Sequence, residues 1–217
     1  MTFPHLSSTC ARARARPAGA GAAAYALVAL LASCGGGSTS NPFGNPTTVT
    51  NQDVISGQRL SFGYFQKCIN PIFVAQLTIQ LNGATSTNTC AGSGCHDTNT
   101  GTGGAFRVVP GAQPLDLSDP AVTVDVIRAS DMYKNFYSAQ GEVVIGSVPQ
   151  SRLLTKPLLQ GVLHGGGLVF PNGTDPNATL IKYWISHPAP LGQDEFSAAT
   201  NAMFTPADPK TGTCNTQ

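Results

Sequence analysis

Two thiols and an imidazole crowd into eight residues of this 217-residue chain: Cys90-Ala91-Gly92-Ser93-Gly94-Cys95-His96-Asp97. Three chemistries use that set. A c-type haem takes two thioethers on neighbouring vinyl groups and a His directly after the second thiol, so that the imidazole comes under the iron. The usual spacing is C-x2-C-H. Four intervening residues require the loop to bulge away from the ring, and Gly92 and Gly94 supply the backbone freedom. In an oxidising compartment the same two thiols can instead close a small disulfide loop and leave His96 solvated. A Cys2His zinc site needs a fourth ligand and reduced thiols. A second imidazole, His164, opens the turn His164-Gly165-Gly166-Gly167, where three residues without Cβ let the backbone approach a flat ligand closely. Met132 and Met203 are alternative axial ligands for iron, and Met ligation raises the potential.

The elements that must position these groups are short. Leu60, Tyr64 and Cys68 follow helical spacing, and Asn70-Pro71 ends that helix and opens a second one carrying Ile72, Ala75 and Ile79. Residues 82–104 hold almost no large apolar side chain and read as a loop. Ser118-Asp119-Pro120 reads as a helix start, with Val122, Val126 and Ala129 on one face. A short helix is predicted around Arg152-Leu153-Leu154. The clearest helix runs from Pro176 to His187, capped by Asp175 and stopped by Pro188, with Leu180, Ile181, Trp184 and Ile185 toward a core. Glu195 to Phe204 forms a last short helix. His187 at a helix C-terminus suits the dipole there, and isolated Asp97, Asp116 and Asp125 read as hydrogen-bonding devices of turns.

Residues 1–18 are Arg-rich and free of acid, Gly19 to Leu31 is a 13-residue run of small and apolar residues, and Leu31-Ala32-Ser33-Cys34 follows. That order is a secretion signal, residues 1–33. As a helix the run rises only about 20 Å, short of the roughly 30 Å of a bilayer core. Leu-Ala-Ser-Cys resembles the lipobox of bacterial lipoproteins, which implies lipidation of Cys34 and, with Gly35 rather than Asp next, favours the outer membrane. Residues 34–56, starting Gly35-Gly36-Gly37-Ser38, read as a flexible tether holding the folded part off the bilayer. One domain from residue 57 to 190 follows, then a C-terminal helix and tail, 191–217. Of the four cysteines after Cys34, Cys90 and Cys95 share the motif, so Cys68 and Cys214 are paired by elimination.

Three of the twelve basic residues lie in the signal, leaving nine against eleven acidic ones, and no concentrated basic face suits a nucleic acid. No G-x-S-x-G, Walker loop or H-E-x-x-H motif supports a hydrolase. The ordered features Asn70-Pro71-Ile72-Phe73, Gly94-Cys95-His96, Gly103-Gly104, Leu115-Asp116-Leu117-Ser118, Ser151-Arg152-Leu153-Leu154-Thr155-Lys156-Pro157, His164-Gly165-Gly166-Gly167 and Tyr183-Trp184-Ile185 cover residues 64–190. In these the chain resembles small c-type cytochrome domains of exported bacterial proteins, including those of planctomycete-type surface proteins. The four-residue Cys spacing and the inserted stretch Gln76 to Thr89 depart from the commonest pattern. The resemblance implies a mainly α fold, cytochrome c-like helices with long loops around one haem c. It implies thioethers at Cys90 and Cys95, His96 as proximal and His164 as distal ligand. One-electron transfer to a redox partner protein at the periplasmic face of a membrane is the expected task. A haem-free lipoprotein held by two disulfides and a small haem peroxidase are the alternatives.

Overall fold

The structure, a computed structural model, describes residues 57–217; the predicted signal, Cys34 and the tether to residue 56 lie outside the described residues. Ser61 starts the first helical path, its hydroxyl accepting from the Tyr64 N–H at 3.1 Å. The path runs through α1 (Phe62–Tyr64), a π-helical turn (Phe65–Ile69) and α2 (Asn70–Val74), with Pro71 in the first turn of α2. At Ala75 the backbone becomes extended. Strands β1 (Leu77–Leu81) and β2 (Ala84–Asn88) pair antiparallel, Leu81 opposite Ala84. Asn82 and Gly83 join them with φ of 52° and 81°, the paired positive angles of a tight hairpin turn. Ile79, expected on a second helix, is therefore on a strand, and part of the expected loop is its partner.

Helix α3 (Val124–Ala129) is capped by Thr123 rather than starting at Ser118-Asp119-Pro120. Those earlier residues form turns, in which Asp116 accepts from the Ser118 N–H at 3.0 Å and Asp119 from the Ala121 N–H at 2.8 Å. Ser130 ends α3 and caps α4 (Asp131–Gln140), a helix the sequence reading did not contain. A 3-10 turn (Val148–Gln150) precedes α5 (Arg152–Thr155). The predicted long helix is α6 (Pro176–Ser186), where Asp175 accepts from the N–H groups of Asn177 and Ala178 at 2.9 and 3.2 Å. A 3-10 helix (Ala198–Met203) then leads into β3 (Phe204–Thr205), which pairs antiparallel with β4 (Thr213–Cys214).

The expectation of a mainly α fold is corrected: the described residues are about 33% helical and 11% strand, with two small antiparallel sheets. Gly and Pro, 24 and 16 in the chain, cut the helices short and leave turns and bridges to carry much of the backbone bonding. The core is aromatic. Phe65 packs against Phe136 and Trp184 with ring centroids 5.4 Å apart in both pairs, and Phe62 packs on Phe136 at 5.5 Å. Trp184 is fully buried and its indole N–H donates to the Ser61 carbonyl at 2.9 Å, so its polar end is satisfied.

Residues 191–217 pack on the same core. The Phe62 N–H donates to the Glu195 carbonyl at 2.9 Å, and the buried Glu195 carboxylate accepts from the Tyr133 hydroxyl at 2.7 Å. Cys68 and Cys214, 146 positions apart, are joined in a disulfide. Among the described residues no helix is long and apolar enough to cross a membrane.

Candidate functional site

The motif loop hangs from α2 by the Ala91 N–H, which donates to the Phe73 carbonyl at 2.9 Å. It then closes on itself: Cys95 N–H donates to Gly92 C=O and His96 N–H to Cys90 C=O, both at 2.9 Å. Gly94 takes φ of 78°, which a side chain would resist. Behind the motif, Asp97 accepts from the N–H groups of Asn99 and Thr100 at 2.8 and 2.7 Å, and these bonds hold its carboxyl below the usual range. The six-residue turn is thus a bonded unit, with four spacer residues accommodated by glycine backbone.

Cys90, Cys95, His96 and His164 all line one cavity of about 450 Å³, within the usual size of small-molecule sites. Phe73, Leu77, Ile79, Leu153, Phe170 and Ile181 give it apolar walls, while Glu142, Arg152 and Lys156 bring charge. Cys90 and Cys95 are free thiols, not bonded to one another. Burial pushes the Cys90 thiol up to about 12, with the neighbouring Cys95 adding to the rise.

The two imidazoles are arranged alike. His96 Nδ1 bonds the Phe106 carbonyl oxygen at 3.1 Å and His164 Nδ1 bonds the Gly167 carbonyl oxygen at 2.7 Å. A carbonyl only accepts, so each Nδ1 carries its proton and each Nε2 keeps a free lone pair. The rings lie 6.2 Å apart, centroid to centroid, with planes 9° from parallel. Gly103 matters here, because a Cβ would meet the His96 ring at 2.6 Å. Burial, aided by His164, Arg107 and Lys156 and opposed by the Phe106 bond, pushes His96 down to about 4 and keeps it neutral.

Haem is the flat group whose ligands these residues would have to supply. Two imidazoles that face one first-row metal with their Nε2 edges, at bonds of about 2 Å, would have centroids about 6 Å apart; here the rings are 6.2 Å apart, near-parallel and stacked. Two imidazoles bonded through Nδ1, two unbonded thiols, apolar lining residues and two cations are a donor set that such a group takes. A zinc centre needs at least three protein ligands around one point. Among the described residues no group of three or more His, Cys, Asp and Glu gathers to hold an ion.

Other sequence candidates fall elsewhere. Met132 and Met203 are buried in the core, and neither lines the cavity. His187 bonds the Tyr183 carbonyl through Nδ1 at 2.8 Å and stacks on the Tyr183 ring at the end of α6. Asp116 pairs with Lys210 at 2.8 Å on the surface, and Asp125 sits in the first turn of α3. Sequence reasoning gave no role to Phe106, to Arg152 and Lys156, or to the hairpin β1–β2, whose Leu77 and Ile79 form cavity wall. The signal for the hairpin was present in Asn82-Gly83 after the alternating Leu77-Thr78-Ile79-Gln80-Leu81.

Comparison with known proteins finds no matching family model, no matching curated protein and no matching solved structure.

Proposed function

We propose that the chain is a c-type cytochrome, exported and lipid-anchored through Cys34 at the periplasmic side of the envelope, that passes single electrons through one covalent haem to a partner protein. The single observation that carries the reading is the pair of near-parallel imidazoles 6.2 Å apart, each with Nδ1 engaged and Nε2 free, in the cavity that also holds two unbonded thiols. In this reading Cys90 and Cys95 form the thioethers, and His96 and His164 are the axial ligands. Arg152 and Lys156, both lining the cavity, would be the cations available to the haem carboxylates.

When bound, the haem supplies a one-electron couple whose potential depends on axial ligands, hydrogen bonds and burial. The chain's own part is positional. Two fixed imidazoles and apolar walls keep geometry and solvation nearly constant between oxidation states, which favours transfer over chemistry on a bound substrate. With His164 as second ligand no open position would remain for peroxide, which is why the reading is an electron carrier rather than a peroxidase.

The test is a pyridine haemochrome assay with intact mass on full chain expressed alongside haem-attachment machinery. One covalent porphyrin per chain, lost in a variant with Cys90→Ala and Cys95→Ala, is the expected result. A purified chain with no Soret band and a mass two hydrogens short at Cys90 and Cys95 leaves the disulfide-held envelope lipoprotein. Metabolic labelling with a fatty acid, abolished by Cys34→Ser, tests the anchor.

A further inference from the structure

Each imidazole is held by a peptide group that is itself braced from behind. On one side, the 106–107 peptide uses its C=O, from Phe106, to accept from His96 Nδ1, and its N–H, from Arg107, donates to Ser138 Oγ at 2.7 Å. Ser138 lies buried on α4, one turn beyond Asn135, whose side chain grips Val109 by both its N–H (2.7 Å) and its C=O (3.1 Å). On the other side, the 167–168 peptide accepts from His164 Nδ1 through the Gly167 C=O. Its N–H, from Leu168, donates to the Gln80 carbonyl of β1 at 2.8 Å, and Gln80 N–H returns a bond to the Leu168 carbonyl at 2.9 Å. Gly167 has φ of 81°, and a Cβ there would overlap the Gln80 carbonyl oxygen.

We infer that Ser138 and the Gln80 strand segment are positioning groups of the two iron ligands, tuning each imidazole through a polarised peptide. The inference rests on the cytochrome reading above and adds residues that touch neither imidazole. A hydrogen bond to a peptide N–H polarises its carbonyl, which then pulls harder on the Nδ1 proton and makes the other nitrogen a better donor. The two braces come from unrelated elements, a helix and a hairpin. The hairpin lies in the stretch Gln76 to Thr89 that the sequence inserts before the motif. Its role here is to hold the turn bearing His164, so the permanence of the sixth ligand depends on it.

The experiment uses the haem-loaded full chain. Ser138→Ala removes the acceptor behind the 106–107 peptide, so His96 donates less to iron and the oxidised state loses relative stability. An upward shift in midpoint potential is expected with the spectrum still low-spin. A threefold loss of preference equals about 30 mV at 59 mV per tenfold for one electron. Ser138→Thr keeps a hydroxyl and is expected to restore the parent value. Gly167→Ala pushes the Gln80 carbonyl away and loosens the His164 turn, so the reduced protein is expected to bind carbon monoxide at least tenfold more tightly than the parent. A Ser138→Ala potential equal to the parent's, or a folded Gly167→Ala protein as closed to carbon monoxide as the parent, overturns the brace. If Gly167→Ala does not fold, the Ser138→Ala potential alone decides. A parent chain without a Soret band overturns the cytochrome reading itself, whereas a normal Soret band with unmoved variants overturns the brace alone.

Discussion

His164 carries the clearest residue-level expectation. In the proposed cytochrome, replacing it by Ala would leave one face of the iron without a protein ligand, so the spectrum should change toward high spin, and cyanide or carbon monoxide should bind readily where the parent resists. Unchanged spectra and ligand affinity in His164→Ala would remove it from coordination. His96 gives a pH expectation for the haem-free chain. The unfolded chain takes up a proton at His96 near pH 6.5, but burial delays uptake in the folded state to about 4. Between those values the unfolded state binds more protons, so stability rises with pH and is lost as pH falls through the window. The loss is on the order of 2 kcal/mol after allowing for partial exposure. Urea midpoints at pH 7 and pH 4.5 should differ more in the parent than in His96→Asn, and equal differences would count against a buried neutral imidazole. The two thiols and His96 were legible from residue type and spacing, because C-x4-C-H is a local pattern, whereas His164 was singled out by its Gly-rich turn and by the resemblance. Ser138 was not, since its partner lies 31 positions earlier and only the folded chain brings a helix hydroxyl behind the Phe106–Arg107 peptide.

At the scale of elements, terminus chemistry was the most readable signal. Asp175, Pro176 and Pro188 marked α6, and the structure places its cap on the N–H groups of Asn177 and Ala178. Asp175→Ala should cost about 1 kcal/mol, a fall of roughly 2–4 °C in Tm for a domain of this size, measured by calorimetry. No change in Tm would mean that the tertiary contacts of α6 make its cap redundant. Helix α4 was hidden for a physical reason. Its apolar face, Met132, Tyr133, Phe136 and Ala139, is interrupted by Asn135 and Ser138, which are buried because the 107–109 segment and Asn70 hydrogen-bond them. Polar residues inside the stripe break the periodicity that sequence reading relies on. The hairpin failed differently: β2 is Ala, Thr, Ser and Asn, almost wholly exposed, so its pairing is carried by backbone and turn rather than by an apolar face. The mainly α expectation fell with these short, bridge-held segments.

Across the whole molecule, the Cys68–Cys214 bond encloses every cavity residue within one covalent ring. Replacing both cysteines by Ala should cost about 2–5 kcal/mol, read as a lowered urea midpoint under oxidising conditions. A midpoint equal to the parent's would show that residues 191–217 hold by packing alone. That same bond has a consequence for manufacture. In the proposed export, a chain threaded through a translocon from its N-terminal side would present Cys68, Cys90 and Cys95 to oxidants while Cys214 is still to emerge, so the earliest crosslinks within reach would be incorrect ones. Under the cytochrome reading, early attachment of porphyrin would take two competing sulfurs out of play, and the yield of correctly bonded chain would turn on the race between a ligase and an oxidase.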